Sequence, residues 1–330
     1  MPETTFAALA SCWPIGPCRE LPGLTPAGSP ERVKDRMVLQ QLQAPEGKFV
    51  LEGCSPGQSS RRWHQAEILS RLAASGCPLL SPWLRSREGA WGVQLQGLFW
   101  QLRPWLEGKE LPRETYGQDR WRGEAMAQFL LRLHQAAPAL DCDCNCDCGC
   151  NRTFRLQEYI GRMLPRLKVR NPALHTDLLP VWSALRDFRL AENALPAAFC
   201  HGDFHPLNVL WGDAGLNGVI DWEFLGRKTE MYDAANLLGC LGMDDPAFLT
   251  GDMARGLVIT LARANMLSPE SWHWLPDCVA ALRFAWMREW CWRNNQALII
   301  QELDFLGLLL DNRDFLRRSW QSWRDSPPAS

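Results

Sequence analysis

The sequence predicts an α+β chain with a small β-rich first part and a larger, mainly helical remainder. Three observations carry that expectation. Strand-type apolar runs crowd the segment before Pro104, apolar residues at helical spacing dominate after Trp121, and a short strand-turn-strand pattern near residues 209–220 is flanked by Asp and Asn side chains. With 330 residues, 46% hydrophobic and 22% charged, the chain is long enough for two domains with a substantial core. A formal net charge of −2 gives no basic footprint for nucleic acid and no polybasic membrane patch, so a small molecule is the expected partner. The first residues, Met1 to Ala10, lack a positive leader region, and no apolar run approaches the length of a membrane span. A cytoplasmic location is the expectation.

The elements follow in order. Residues 36–43 and 48–52 read as strands joined by a turn at Pro45, Glu46 and Gly47. Trp63, Ile68, Leu69 and Leu72 recur at helical spacing between Ser60 and Ala74, and Gly76 and Pro78 stop that helix. Two further strands, 91–95 and 98–103, flank Gly97. From Trp121 to His134 the pattern is helical, and helix predominates again to about Trp323.

The residues with chemistry lie between His201 and Glu223. Val209 to Trp211 and Gly218 to Ile220 are short apolar runs separated by a turn containing Gly and Asp, which predicts a β-hairpin. Asn208 enters its first strand and Asp221 leaves its second, so an antiparallel pairing brings an amide oxygen and a carboxylate side by side. Oxygen ligands of that kind suit Mg²⁺. Asp203 lies five residues before Asn208, the spacing by which kinase catalytic loops set a proton-accepting Asp beside a metal-binding Asn.

The run His201-Gly-Asp203-x-His205-x-x-Asn208, followed by Ile220-Asp221-Trp222-Glu223, resembles the aminoglycoside phosphotransferase and choline kinase superfamily, whose fold is two-lobed and protein-kinase-like. The resemblance implies an ATP-dependent phosphotransferase acting on a hydroxyl, with GTP as a further donor. Asp203 is then the catalytic base, Asn208 and Asp221 hold Mg²⁺, and His205 supports the catalytic loop, while His201 orients that loop. Residues 1–105 become a nucleotide-covering N-lobe. Residues 106–330 become the C-lobe, with the catalytic loop and substrate-binding helices. The segment Leu102 to Leu106, including Arg103, is the expected hinge presenting backbone groups to adenine, although an ordinary strand-to-helix connection fits the same residues. Gly28-Ser29-Pro30 is the one candidate for a phosphate-covering turn. His134 ends a Leu-x-x-Leu-His segment similar to a core helix of the superfamily, where packing is its expected role. Asp233 is expected to cap a helix or to anchor the loop after Asp221.

Two features depart from that pattern. Kinase-like folds place a Lys on the third strand and pair it with a helix Glu, yet the aligned position here is Glu52, with Gln65 and Glu67 near the partner position. Lys48 lies close enough for a shifted alignment. A buried Glu needs a cation, so Glu52 points to solvent, meets an Arg such as Arg61 or Arg62, or binds something positive. These departures leave a nucleotide-binding or sensing protein of impaired catalysis as the alternative. The second feature is the run Cys142 to Cys150, five cysteines at alternating positions within a Cys-rich insertion at about 138–152. It reads as a low-complexity insertion, a soft-metal site or a redox crosslink.

For the acceptor, the resemblance offers aminoglycosides, choline-like compounds, homoserine, methylthioribose and amino sugars. Glu223, Glu230 and Glu289 could line an acidic pocket for a cationic acceptor, with Asp203 and Glu223 facing the reacting group. Among 17 tryptophans, Trp286 and Trp290 recur at helical spacing, which permits either a packed core or an aromatic cage.

Overall fold

A computed structural model describes residues 9–27, 33–42, 47–140 and 152–326. The chain divides into two compact units. The first comprises residues 1–110, 135–148 and 207–223, and the second comprises 111–134, 149–206 and 224–330.

The first unit is built on an antiparallel sheet of β1 (Cys18–Glu20), β2 (Val33–Gln41), β3 (Lys48–Cys54), β4 (Val93–Leu95) and β5 (Leu98–Pro104), in the order β1-β2-β3-β5-β4. Helix α1 (Ser59–Ala74) follows β3. Each expected strand is present with ends shifted by a few residues, while β1 was not foreseen. The expected turn at Pro45 and Glu46 lies outside the described residues.

Register decides what each sheet face carries. Met37, Leu51 and Leu102 stand opposite one another across β2, β3 and β5 and enter a buried cluster with Leu9, Trp13, Leu39 and Trp100. Because side chains alternate along a strand, the neighbouring row, Arg36, Glu52 and Gln101, must point to the other face, and Val38, Val50 and Arg103 form the next row on that face. One sheet face is therefore apolar core, and the other carries a charged row.

The hairpin belongs to the first unit. Strand β7 (Val209–Trp211) pairs antiparallel with β8 (Leu216–Val219), and the backbone N–H of Gly212 closes the turn onto the carbonyl of Gly215 at 2.8 Å. A second strand at 218–220 was expected; the paired residues are Leu216–Val219, and Ile220 donates its N–H to the Asn208 carbonyl at 3.0 Å.

The second unit contains helices α2 (Arg120–Ala136), α3 (Leu156–Arg170), α4 (Pro172–Ala184), α5 (Arg186–Ala191), α6 (Tyr232–Asp244), α7 (Asp252–Arg263), α8 (Pro269–Trp292), α9 (Gln296–Asp311) and α10 (Arg313–Arg324). It also contains a two-stranded pair, β6 (Ala197–Cys200) with β9 (Gly226–Thr229). Helix α6 is buried around nearly its whole circumference and packs on α8, which explains its run of Ala, Leu and Gly with few charges. The β6–β9 pair escaped the sequence pattern because its strands are four residues long and far apart in the chain.

Candidate active site

Residues 201–205 of the second unit follow the end of β6. His201 is fully buried, and the backbone N–H groups of His201 and Gly202 donate to the two carboxylate oxygens of Asp233 at 2.7 and 2.8 Å. Gly202 has φ +86°, and a Cβ there would collide with the Phe224 carbonyl oxygen, so only glycine permits the bend. The Asp203 N–H donates to His201 Nδ1 at 3.2 Å, which leaves the ring proton on Nε2 and makes His201 an orienting residue. His205 Nε2 lies 3.6 Å from Asp203 Oδ2, and its ring meets Trp286 edge-on at 5.9 Å.

Helix α6 braces this loop from two successive positions on one face. Asn236 Nδ2 donates to the Phe204 carbonyl at 3.3 Å, and its Oδ1 accepts from Trp286 Nε1 at 3.4 Å. Asp233 thus anchors the loop that precedes Asp203, whereas a cap or an anchor for the segment after Asp221 had been expected. Burial pushes the Asp233 carboxyl up to about 6, against the two backbone donors and Lys228, which pull it down. Lys228 is itself held below the ordinary lysine range by burial and donates to the Phe224 carbonyl at 2.6 Å. His134 lies in the last turn of α2, and burial pushes its pKa down to about 4.

The first unit holds Asn208, Asp221 and Glu223. The Ile220–Asn208 backbone bond joins the two ends of the hairpin, so Asn208 and Asp221 flank it at the same end. Asp221 takes φ +64°, a left-handed conformation that is costly outside glycine and tolerated where surrounding structure enforces it. An amide oxygen and a carboxylate are hard donors of the kind that fits Mg²⁺.

Asp221 and Glu223 line a cleft with Arg36, Glu52, Arg62 and Arg103. Glu52 is buried. Its Oε1 accepts from Arg36 Nε at 3.0 Å and faces Arg103 at 3.4 Å, while Oε2 faces Arg62 of α1 at 3.6 Å. Burial alone would raise the Glu52 carboxyl, but the Arg103, Arg36 and Arg62 guanidiniums outweigh it and hold it below its usual range. Of the three fates open to Glu52, the structure selects an arginine partnership, with Arg62 among those foreseen and Arg36 and Arg103 missed. A signal existed in the alternation of β2 and β3, which sets Arg36 and Glu52 on the face opposite Met37 and Leu51. Helix α1 also grips the backbone after Asp221: the Glu223 carbonyl accepts from Arg61 and from Gln65 Nε2, the latter at 3.1 Å.

The remaining expected site residues fall as follows. Leu102 and Arg103 lie inside β5, opposite Leu51 and Val50, and the Leu102 carbonyl accepts from the Leu84 N–H at 2.7 Å. The Arg103 side chain, rather than its backbone, reaches the cleft. Leu106 packs against Gly218 of the hairpin. Glu289, in the last turn of α8, pairs with Arg293 just past its end, and Glu230 accepts from the Ser268 N–H at 2.7 Å. Lys48 pairs with Glu107 at 2.7 Å on an exposed strand end. Gly28, Ser29 and the run Cys142 to Cys150 lie outside the described residues.

A five-stranded sheet with one helix, a hairpin carrying Asn208 and Asp221, and a mainly helical remainder are the parts of a kinase-like fold. The profile of the phosphotransferase enzyme family matches residues 35–267, and the chain belongs to that family. Among curated relatives, the homoserine kinase of Zymomonas mobilis subsp. mobilis is 24% identical over 253 residues, covering 76% of this chain and 74% of that protein. Among solved structures, the GDP and kanamycin complex of APH(2″)-IIia superposes with a TM-score of 0.60 at 14% identity, covering 94% of this chain and 98% of that one. Amicoumacin kinase hAmiN, in complex with AMP-PNP, Ca²⁺ and Ami, gives 0.58 at 16% identity, with 92% and 90% coverage. These likenesses support the fold. No helix among the described residues is long and apolar enough to cross a membrane.

Proposed function

We propose that this phosphotransferase moves the γ-phosphoryl group of ATP to the hydroxyl of a small acceptor, with Asp203 as the base. The observation that carries the proposal is the bracing of the Asp203 loop: a buried carboxylate, a glycine of positive φ and a histidine ring nitrogen all serve to fix one backbone segment. A module that only senses nucleotide has no physical need for such a fixed carboxylate. Asn208 and Asp221 would hold Mg²⁺, which when bound would neutralise charge on the phosphates.

The rest is the work of the chain's own groups. Asp203 orients the acceptor hydroxyl and takes its proton as the oxygen attacks phosphorus. His205 supports the Asp203 carboxylate from one side, and Asp233 with Asn236 holds the loop backbone, so little reorganisation is needed when the acceptor arrives. The acceptor we favour is a small hydroxyl-bearing amine or amino acid. The resemblance to a homoserine kinase supports an amino acid, and the kanamycin and Ami complexes support larger amines. GTP is a second donor to test, since APH(2″)-IIia was solved with GDP.

The test is transfer of labelled phosphate from ATP or GTP to homoserine, choline analogues, amino sugars and aminoglycosides. Transfer to one class is expected, with Asp203→Asn lowering turnover at least roughly 1,000-fold while Mg-nucleotide binding stays within about twofold. Asp221→Ala is expected to weaken Mg-nucleotide binding itself. Equal turnover in Asp203→Asn and the unaltered protein rules out the base assignment.

A further inference from the structure

The third strand of the first unit carries a carboxylate where kinase-like folds use a cation, and the helix residue facing it is an arginine. Glu52 and Arg62 thus form a strand–helix ion pair of the opposite polarity. A reversed pair still ties helix to strand, but it removes the strand cation that would meet a phosphate. Arg62 and Arg103 both line the same cleft, and both guanidiniums lie beside one Trp83 ring, at 5.9 and 5.8 Å from its centroid.

Distances separate this cluster from a purely structural one. In the second unit the buried Arg283 closes on Glu302 with two bonds at 2.5 and 2.7 Å, as charge-assisted bidentate pairs do. In the cleft, Arg103 remains 3.4 Å from Glu52, and Arg62 remains 3.6 Å from Glu52 and 3.4 Å from Glu223. Glu52 also accepts from Arg36 at the shortest of its contacts, 3.0 Å, so one carboxylate is divided among three cations. Guanidiniums that are buried but loosely held gain most from a second anion of high charge density. The cleft they line also contains Asp221, whose charge acts on Arg103.

Resting on the phosphotransferase proposal, we infer that Arg103 and Arg62 together grip the nucleotide's phosphates in place of the missing strand lysine, with Glu52 as the positioning residue that holds both forks in the cleft. The arrangement suits a nucleoside di- or triphosphate, because two planar forks can each engage a pair of phosphate oxygens where one ammonium provides a point charge. Glu52 acts through the arginines. Trp83 supplies the flat surface that keeps them side by side.

The experiment is calorimetric titration of the full chain with ATP, ADP, AMP and adenosine in Mg²⁺ buffer. The unaltered protein is expected to bind ATP at least roughly tenfold tighter than adenosine. Arg103→Met and Arg62→Met are each expected to weaken ATP by roughly 10- to 100-fold and to leave adenosine unchanged, so that the dependence on phosphate number collapses. A residue with a merely structural role would weaken both ligands alike. Arg103→Lys, which keeps the charge and loses the fork, is expected to fall between, and Glu52→Gln to flatten the ATP-to-AMP series partway. If Arg103→Met fails to fold, tripolyphosphate added to the unaltered protein decides: a rise in Tm is expected, and no rise overturns the inference. ATP binding that survives both arginine variants unchanged overturns the inference and leaves the kinase proposal intact. Absence of any nucleotide binding by the unaltered protein overturns both.

Discussion

Glu52 in the first unit and Asp233 in the second are both buried carboxylates next to residues proposed for catalysis, and they are stabilised in opposite ways. Glu52 is surrounded by three guanidiniums and held below its ordinary pKa range, although its burial acts the other way. Asp233 is satisfied by two backbone N–H groups, and burial carries its carboxyl up to about 6. The difference teaches what each carboxylate is for. Dipoles suffice where the task is to fix a backbone, whereas full charges are needed where the task is to assemble cations around an anion site.

The largest expected effect comes from reversing the charge of the first carboxylate. Glu52→Lys sets a fourth cation among Arg36, Arg62 and Arg103 in a buried place and is expected to cost about 3–5 kcal/mol, read as a lowered midpoint in urea. Adding Arg62→Glu restores the usual strand–helix polarity and should recover a good part of that loss. If the double variant is no more stable than Glu52→Lys alone, Glu52 and Arg62 are not a coupled pair.

Next in size is the brace. Asp233→Ala orphans the buried N–H groups of His201 and Gly202 and is expected to cost about 2–4 kcal/mol, with a fall in turnover larger than the fall in nucleotide affinity. A variant that keeps full turnover would mean that Asp233 does not hold the catalytic loop.

The pH dependence sharpens the contrast, because the two carboxylates run in opposite directions. The folded pKa of Asp233, about 6, lies above the unfolded value, so its proton uptake adds stability that is complete below pH ~4 and lost as pH rises through about 6, a span of roughly 3 kcal/mol. Glu52 is depressed in the folded state, so its contribution is present above an unfolded value of about 4.5 and lost as pH falls. Unfolding at about pH 3 and pH 7 should therefore show the unaltered protein gaining on Asp233→Asn at the acid pH and losing ground to Glu52→Gln there. The same sign for both pairs breaks the comparison.

The smallest effect is expected at Lys48, the alternative strand cation. Its pair with Glu107 is exposed, so Lys48→Ala should change stability by no more than about 0.5 kcal/mol and ATP affinity by less than about twofold. A tenfold loss of ATP affinity would return the phosphate role to Lys48.

Much of this protein was legible in its sequence because the relevant signals are local. The spacing of Asp203, His205 and Asn208, the apolar runs on either side of the Gly212 turn, and the helical period from Ser60 to Ala74 are each confined to a short window, and strand and helix periods report directly which residues share a face. They sufficed for the α+β order, the hairpin and the choice of Asp203, Asn208 and Asp221 as the residues to test. The substitution of Glu52 for the expected lysine was also visible in the sequence. Its consequence was not, since Arg36, Arg62 and Arg103 come from three different elements and meet Glu52 only through sheet register and the placement of helix α1. Asp233 likewise acquired its role as a brace only once helix α6 lay under the turn at Gly202. Sequence determined the local elements and the reactive groups, whose preferences are set within a few residues. Tertiary structure alone decided which charges share a low-dielectric space, because burial and long-range pairing fix both their ionisation and their partners.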